Sequence, residues 1–185
     1  MAVDRRETFI LLGAGVLASR LEAAQQHLHA LRDRSGAYQR QFFTEQEHEL
    51  VDRVAEMILP ADEHSPGAHE ARVADYIDLV VAHSSRQVQE QWRARLAAFE
   101  ELARVEGGRA FVELDPSKQA QVLDIAARGE SRPSTPAEHF FVAMKRMTLA
   151  AYYTSQIGLL RELGYRGNQV RASFPGCRHR RGTHT

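Results

Sequence analysis

The stretch of the chain richest in groups that could do chemistry runs from residue 62 to residue 70. It brings together three carboxylates and two imidazoles, namely Asp62, Glu63, His64, His69 and Glu70. Such oxygen and nitrogen donors are ligands that divalent metals accept. However, the two histidines lack the His-x-x-x-His spacing that sets a zinc-binding pair on one helical face. A capped, solvated loop is the simpler interpretation, and a small metal-binding protein is the alternative.

Other catalytic chemistry has little support in the sequence. Cys177 is the only cysteine, which excludes an internal disulfide and any zinc site built on two thiolates. Its neighbours Arg178 and His179 favour thiolate chemistry or disulfide exchange, and an inert surface thiol is the other interpretation. The chain has no Gly-x-Ser-x-Gly elbow and no glycine-rich phosphate loop after a strand. We therefore expect no catalytic site and no bound cofactor in this chain.

Charge and hydropathy narrow the classes of partner. The 24 basic and 24 acidic residues cancel, so no large positive field attracts nucleic acid. The longest apolar run, residues 10–18, is interrupted by Gly13 and Gly15 and ends before Arg20. A membrane-spanning helix needs about 20 apolar residues. We expect neither nucleic-acid binding nor a membrane span.

The first 20 residues have the layout of an export signal. Arg5 and Arg6 precede a short segment rich in small and apolar residues, with Phe9 three positions after the second arginine. This arrangement resembles the twin-arginine signal that sends folded proteins across a bacterial inner membrane. An ordinary amphipathic first helix is the alternative. Residues 21–41 are polar and are interpreted as a tether.

The remainder of the chain contains several sequence signals that indicate where helices begin and end. Thr44 and Thr135 each have a glutamate three residues later, the spacing of a capping box. Asp115 followed by proline has the pattern of an N-cap, and Gly107 with Gly108 breaks the chain between helices. No alternating strand pattern appears. The sequence predicts an all-α fold, an irregular bundle of about six helices over residues 42–164, followed by an extended tail over residues 165–185.

Apolar residues recur every three to four positions and predict the buried face of each helix. For the two helices after the first loop, the predicted buried residues are Val73, Tyr76, Ile77, Val80 and Val81, then Val88, Trp92, Leu96, Phe99 and Leu102.

Two pairs of neighbouring aromatic residues lie near the end of the domain, Phe140 with Phe141 and Tyr152 with Tyr153. Adjacent residues point to different faces of a helix, so one ring of each pair could lie outside the core and anchor a partner. Packing of both rings in the core is the alternative.

Several segments, taken in order, resemble one known family. They are FFT at 42–44, ILPADEHSPGA at 58–68, VADYID at 73–78, YYTS at 152–155, LGYRGN at 163–168 and FPGC at 174–177. Together they are similar to the small-subunit family of membrane-bound gluconate 2-dehydrogenases, also called subunit 3. Gln169 and the long polar stretch before residue 41 depart from the family pattern.

The resemblance implies an accessory subunit of a periplasmic sugar or polyol dehydrogenase associated with the inner membrane. In such complexes a large subunit contains FAD and oxidises the substrate, and a cytochrome c subunit with haem c passes the electrons on. The small subunit carries the signal for the twin-arginine translocase and takes the folded large subunit across the membrane. A free-standing helical binding module is the alternative.

On this hypothesis the chain binds the FAD-containing subunit through its helical domain and its tail. The residues expected at the interface are Phe140, Tyr152, Tyr153, Tyr165, Phe174, Pro175 and Cys177. Cys177 is also expected to form a disulfide with the partner in an oxidising compartment.

Overall fold

The computed structural model describes residues 38–167. The contacts divide the chain into two units, residues 1–40 and 41–185, and the elements below belong to the second. They are α1 (Glu45–Ile58), α2 (Val73–Ala82), α3 (Arg86–Gly107), a 3₁₀ turn (Phe111–Glu113), α4 (Pro116–Ala127), α5 (Pro136–Thr154) and a π-helical turn (Gly158–Glu162). No strand occurs in the described range. The predicted all-α fold is confirmed.

The helices capped by Thr44, Asp115 and Thr135 begin where the sequence predicts. The hydroxyls of Thr44 and Thr135 accept hydrogen bonds from the amides of Glu47 and Glu138, whose carboxylates in turn accept from the cap amides. Both ends are therefore complete capping boxes, in which each side chain satisfies an amide that has no partner within the helix. Hydrogen bonds from the amides of residues 134 and 135 hold the pKa of Glu138 below its ordinary value.

A row of aromatic rings runs through the centre of the domain. Phe43 lies 6.0 Å from Trp92 between ring centroids, and Trp92 lies 6.3 Å from Phe140. Phe140 in turn lies 4.7 Å from Phe99, which is 5.0 Å from Phe111. These separations favour attractive edge and tilted contacts. The row connects α3 with α5, the two helices that share the most extensive interface.

Two of the predicted core residues lie instead at the surface. Tyr76 is 42% exposed and Val88 is 36% exposed. On α2 the buried face includes the carboxylate of Asp78, which rotates the buried stripe away from Tyr76. On α3 the buried positions begin only at Trp92, so the first turn with Val88 extends past the core.

Asp78 fixes the start of the domain. Its buried carboxylate accepts hydrogen bonds from the amides of Gln41 at 2.7 Å, Phe42 at 3.0 Å and Phe43 at 2.7 Å. A buried carboxylate is tolerated only when donors replace its water, and three successive backbone amides supply that here. We refer to this set of hydrogen bonds as the Asp78 clamp.

Within residues 38–167, none of the helices combines the length and apolar character that crossing a bilayer requires.

Candidate functional site

The loop between α1 and α2 contains the acidic and histidine-rich segment singled out in the sequence. The carboxylate of Asp62 accepts hydrogen bonds from the amides of His64 and Ser65, both at 2.8 Å. The Asp62 amide donates back to the Ser65 carbonyl at 2.9 Å. These amides lower the pKa of Asp62. The carboxylate thus builds a closed turn, the kind of local bonding for which aspartate is favoured in loops.

A second carboxylate, that of Glu56 on α1, also binds backbone amides of this loop. It accepts hydrogen bonds from the amides of Ala61 at 3.2 Å and His69 at 2.8 Å. Gly67 lies directly against it. A Cβ at position 67 would overlap the Glu56 carboxylate and stand 2.6 Å from the Ala61 amide nitrogen. Only glycine fits here, because the backbone passes too close to its neighbours for any side chain.

Tyr152 ties the loop to α5. Its hydroxyl donates to the Pro66 carbonyl at 2.7 Å and shares a hydrogen bond with the Ser65 hydroxyl. Both Ser65 and Tyr152 are buried. A buried tyrosine hydroxyl needs a polar partner, and here it has two on the same loop. The loop is thus held from two sides, by Glu56 and by Tyr152.

The helical backbone is interrupted at Ser155, just after α5, and continues as the π-helical turn. The Ser155 hydroxyl donates to the Tyr152 carbonyl at 2.7 Å and accepts from the Gly158 amide at 3.0 Å. A Cβ at Gly158 would overlap the Tyr152 carbonyl. The π-helical turn therefore packs its backbone directly onto the end of α5.

Large apolar side chains on either side of this interruption are exposed. We call the group formed by Leu149, Tyr153, Leu160, Leu163 and Tyr165 the apolar end. Each of these side chains is between 36% and 58% exposed. They make up five of the eight large apolar residues that are exposed within the described residues, so exposed apolar surface is concentrated at this place. Concentrations of this kind mark binding surfaces.

Among the described residues that were predicted at a partner interface, some are buried and others are exposed. Phe140 and Tyr152 are buried in the chain's own core, and their contact with a partner stays a prediction. Phe140 packs in the aromatic row and Tyr152 binds the loop. Tyr153 and Tyr165 are exposed and belong to the apolar end. Leu149, Leu160 and Leu163 were missed, although the four-residue spacing of Leu149 and Tyr153 indicates one helical face.

A family model described as gluconate 2-dehydrogenase subunit 3 matches residues 45–170, more than half of the chain. The chain belongs to this family. Comparison with curated proteins and with solved structures gives no significant match. Membership of the subunit 3 family makes the chain a subunit of a dehydrogenase complex, and the matched range includes both the loop and the apolar end.

In this subunit 3 protein the histidines around the loop do not converge. The Nδ1 atom of His69 lies 2.6 Å from the Asp52 carboxylate, and this hydrogen bond raises the pKa of His69. His64 is exposed. In the part of the chain that the structure describes, no three His, Cys, Asp or Glu side chains are arranged to hold a metal ion.

Two grooves lie elsewhere on the subunit. One, of about 570 Å³, runs between the start of α1, the middle of α3 and the 3₁₀ turn and is lined by Glu47, Glu49, Glu100 and Glu113 with Arg104. The other, of about 350 Å³, is an apolar groove between α3, α4 and the start of α5. Neither is lined by a histidine, cysteine or serine. Their linings contain no nucleophile with an adjacent imidazole base.

The remaining predicted site residues lie outside the described range of 38–167. They are Arg5, Arg6 and Phe9 of the signal segment and Phe174, Pro175 and Cys177 of the tail.

Proposed function

We propose that this chain is the non-catalytic small subunit of a membrane-associated, flavin-dependent sugar or polyol dehydrogenase complex. It binds the FAD-containing catalytic subunit and supports its folding, stability and export. The observation that carries this proposal is the family match over residues 45–170, which makes the chain part of a dehydrogenase complex. The flavin belongs to the large subunit, and haem c belongs to a cytochrome c subunit.

The arrangement of the helical domain supports a binding role. Hydrogen bonds from Asp62, Glu56 and Tyr152 hold the acidic loop in one conformation. Exposed aromatic side chains such as Tyr153 and Tyr165 suit the anchoring of another protein, since tyrosine buries a large area at small entropic cost. On this proposal the tail with Phe174 and Pro175 also lies on the flavoprotein.

Export completes the proposed role. Arg5, Arg6 and Phe9 would be read by the twin-arginine translocase, which carries folded proteins, so the partner would travel to the periplasm already assembled with this chain. A large subunit without a signal of its own would depend on this one.

The first experiment is co-purification of the full chain, tagged at its C-terminus, from its native cells. We expect a yellow partner of flavoprotein size with sugar or polyol dehydrogenase activity, with or without a haem band in the absorption spectrum. The tagged chain separated from that partner should oxidise nothing. A colourless chain recovered alone would contradict the proposal and favour a free-standing binding module or a metal-binding protein.

Export is tested separately by changing Arg5 and Arg6 together to lysine. We expect both this chain and the flavoprotein to remain in the cytoplasm on cell fractionation, because the pair is what the translocase reads. An Arg20→Lys variant, which changes an arginine beyond the pair, is the matched control. Periplasmic recovery of the double variant at the control level would exclude twin-arginine export.

The proposed intersubunit disulfide rests on Cys177. Non-reducing electrophoresis of the purified complex should show one band that contains both chains, which separates into two after reduction. If both chains migrate separately without reductant and the Cys177 thiol reacts with a maleimide, the disulfide is excluded.

A further inference from the structure

The exposed apolar side chains of this domain are distributed unevenly. Apart from the apolar end, the large exposed apolar residues are Tyr76, Val88 and Val105. Single exposed apolar residues are normal on a soluble protein and need no explanation. The apolar end, in contrast, places five exposed apolar residues between residues 149 and 165. Groups of this kind are found where proteins bind each other.

The backbone beneath the apolar end is well ordered by its own hydrogen bonds. The Gly158 amide donates to the Ser155 hydroxyl at 3.0 Å just after α5, and the Tyr165 amide donates to the Leu159 carbonyl at 2.8 Å. Tyr153 meets Tyr152 edge-on at 5.4 Å between ring centroids, and Tyr152 is itself held by the loop. A surface prepared in this way loses little entropy when it binds.

Charge around the apolar end indicates what kind of surface would fit it. Between residues 146 and 167 the charged residues are Arg146, Arg161 and Arg166 against Glu162 alone, and all four are exposed. Along this segment of the chain, positive charge therefore exceeds negative charge. A complementary surface has an apolar centre with carboxylates around it.

The chain's own tail does not have this character. Residues 168–185 contain four arginines and no acidic residue, with Val170 and Phe174 as the only large apolar side chains. Like charges repel, and two apolar side chains cannot cover five. The composition of the tail therefore argues against it as the occupant of the apolar end.

We propose that the apolar end is the surface on which the catalytic flavoprotein subunit docks, through an apolar patch of its own that is bordered by Asp and Glu side chains. This inference rests on the proposed function and names the partner's contact surface. Leu160 and Leu163 are its most exposed apolar side chains, and Arg146, Arg161 and Arg166 supply positive charge along the same segment. The loop at residues 62–66 stands behind it and supports it through Tyr152.

The test compares two exposed positions in the full, C-terminally tagged chain. Leu160 is 50% exposed in the apolar end, and Val105 is 70% exposed at the end of α3. Leu160→Asp places a charge in the proposed contact, whereas Val105→Asp places the same charge elsewhere. We expect Leu160→Asp to lower the flavin absorbance recovered per tagged chain at least about tenfold and Val105→Asp to leave it unchanged. Equal circular dichroism spectra and melting temperatures establish that both variants are folded.

Charge reversal at Arg161 provides a second readout. Arg161→Glu should slow association with the flavoprotein and weaken its dependence on salt, because rim charges act mainly on the rate of encounter. Unchanged association kinetics would contradict the proposed acidic border.

The outcomes separate the docking surface from the proposed function. Recovery of flavoprotein by the wild type and by Leu160→Asp in equal amounts overturns the docking surface and leaves the function standing. Failure of the wild type to recover any flavoprotein overturns the function. A change in oligomeric state of the isolated chain on Leu160→Asp assigns the surface to a second copy. Increased binding of a hydrophobic dye to the full chain carrying Phe174→Ala assigns it to the tail. Either of these last two results also overturns the proposal.

Discussion

The two halves of α5 are used in opposite ways. In the first half Phe140, Phe141 and Met144 are all buried against α3 and the neighbouring helices. In the second half Leu149 and Tyr153 are exposed, whereas Thr148, Ala151 and Tyr152 are buried and Tyr152 binds the loop. A single helix of 19 residues thus serves the core at one end and presents apolar surface at the other. The apolar character of the residues therefore does not by itself predict which half of α5 has its large side chains buried.

The two halves differ in how much of their apolar surface the rest of the chain covers. Phe140, Phe141 and Met144 of the first half belong to the core that α5 shares with the four preceding helices. In the second half Leu149 and Tyr153 stay exposed although they lie on the same helix. Apolar side chains exposed in this way can contact another subunit, provided that the backbone holds them in position.

The largest expected effect follows from replacing a residue of the buried half. Phe140→Ala removes a fully buried ring at the centre of the aromatic row and should lower the free energy of unfolding by about 3–5 kcal/mol. Leu149→Ala in the exposed half should change it by less than about 1 kcal/mol. Urea unfolding followed by circular dichroism measures both. Similar losses in the two variants would remove the distinction between the halves.

The loop beside the exposed half is expected to be next in sensitivity. Gly67→Ala places a Cβ on the Glu56 carboxylate and the Ala61 amide and should cost about 1–3 kcal/mol of folding free energy. Gly108→Ala is a useful control because a Cβ there meets nothing within 4 Å and only its positive φ is unfavourable, at about 1 kcal/mol. If thermal melts place Gly67→Ala at or above the wild-type stability, the close packing of this loop is wrong.

A smaller effect distinguishes the two adjacent tyrosines. Tyr152→Phe removes the hydroxyl that binds Ser65 and Pro66 and should lower the unfolding free energy by about 1–2 kcal/mol. Tyr153→Phe should be close to neutral, since its ring is exposed. Hydrogen exchange of the Ser65 amide should also speed up in Tyr152→Phe alone. Identical exchange in both variants would show that Tyr152 does not hold the loop.

The smallest expected effect is a dependence on pH. The hydrogen bond to Asp52 raises the pKa of His69 above its ordinary value of about 6.5, so the folded state binds this proton more tightly than the unfolded state. The resulting stabilisation is fully present below about pH 6.5 and disappears as the pH rises through the folded pKa. It should amount to a few tenths of a kcal/mol, because the imidazole is largely exposed.

Asp52→Asn tests this assignment. The difference in stability between the wild type and Asp52→Asn should be larger at pH 5.5 than at pH 8.5, by urea unfolding at both values. A difference that does not vary with pH would show that the pair makes no contribution.

Local signals in the sequence were sufficient for the helices and their ends. Thr44, Asp115 and Thr135 cap helices in the predicted way, and Gly108 ends α3 in the left-handed conformation. These features depend on residues only two to four positions apart, which is why a single sequence reveals them.

Features that depend on distant neighbours were not predicted. The Asp78 clamp joins residues more than 30 positions apart, and its carboxylate shifts the buried face of α2 away from Tyr76. Likewise, Phe140 and Tyr153 looked equivalent as members of aromatic pairs, yet one is covered by α3 and the other is not. Burial depends on which helices extend over a position, and periodicity does not contain that information.

The Asp78 clamp also determines how tension would enter the domain. A force pulling on the chain ahead of Gln41 reaches the three clamp hydrogen bonds before it reaches α1, because the amides of residues 41–43 precede that helix. The force then passes through Asp78 to α2, which is anchored in the core by its buried residues Val73, Ile77 and Val81. A force on the N-terminal side of the domain is therefore resisted first by α2, a helix packed in the core. The first turn of α1 carries this force only after the clamp hydrogen bonds break.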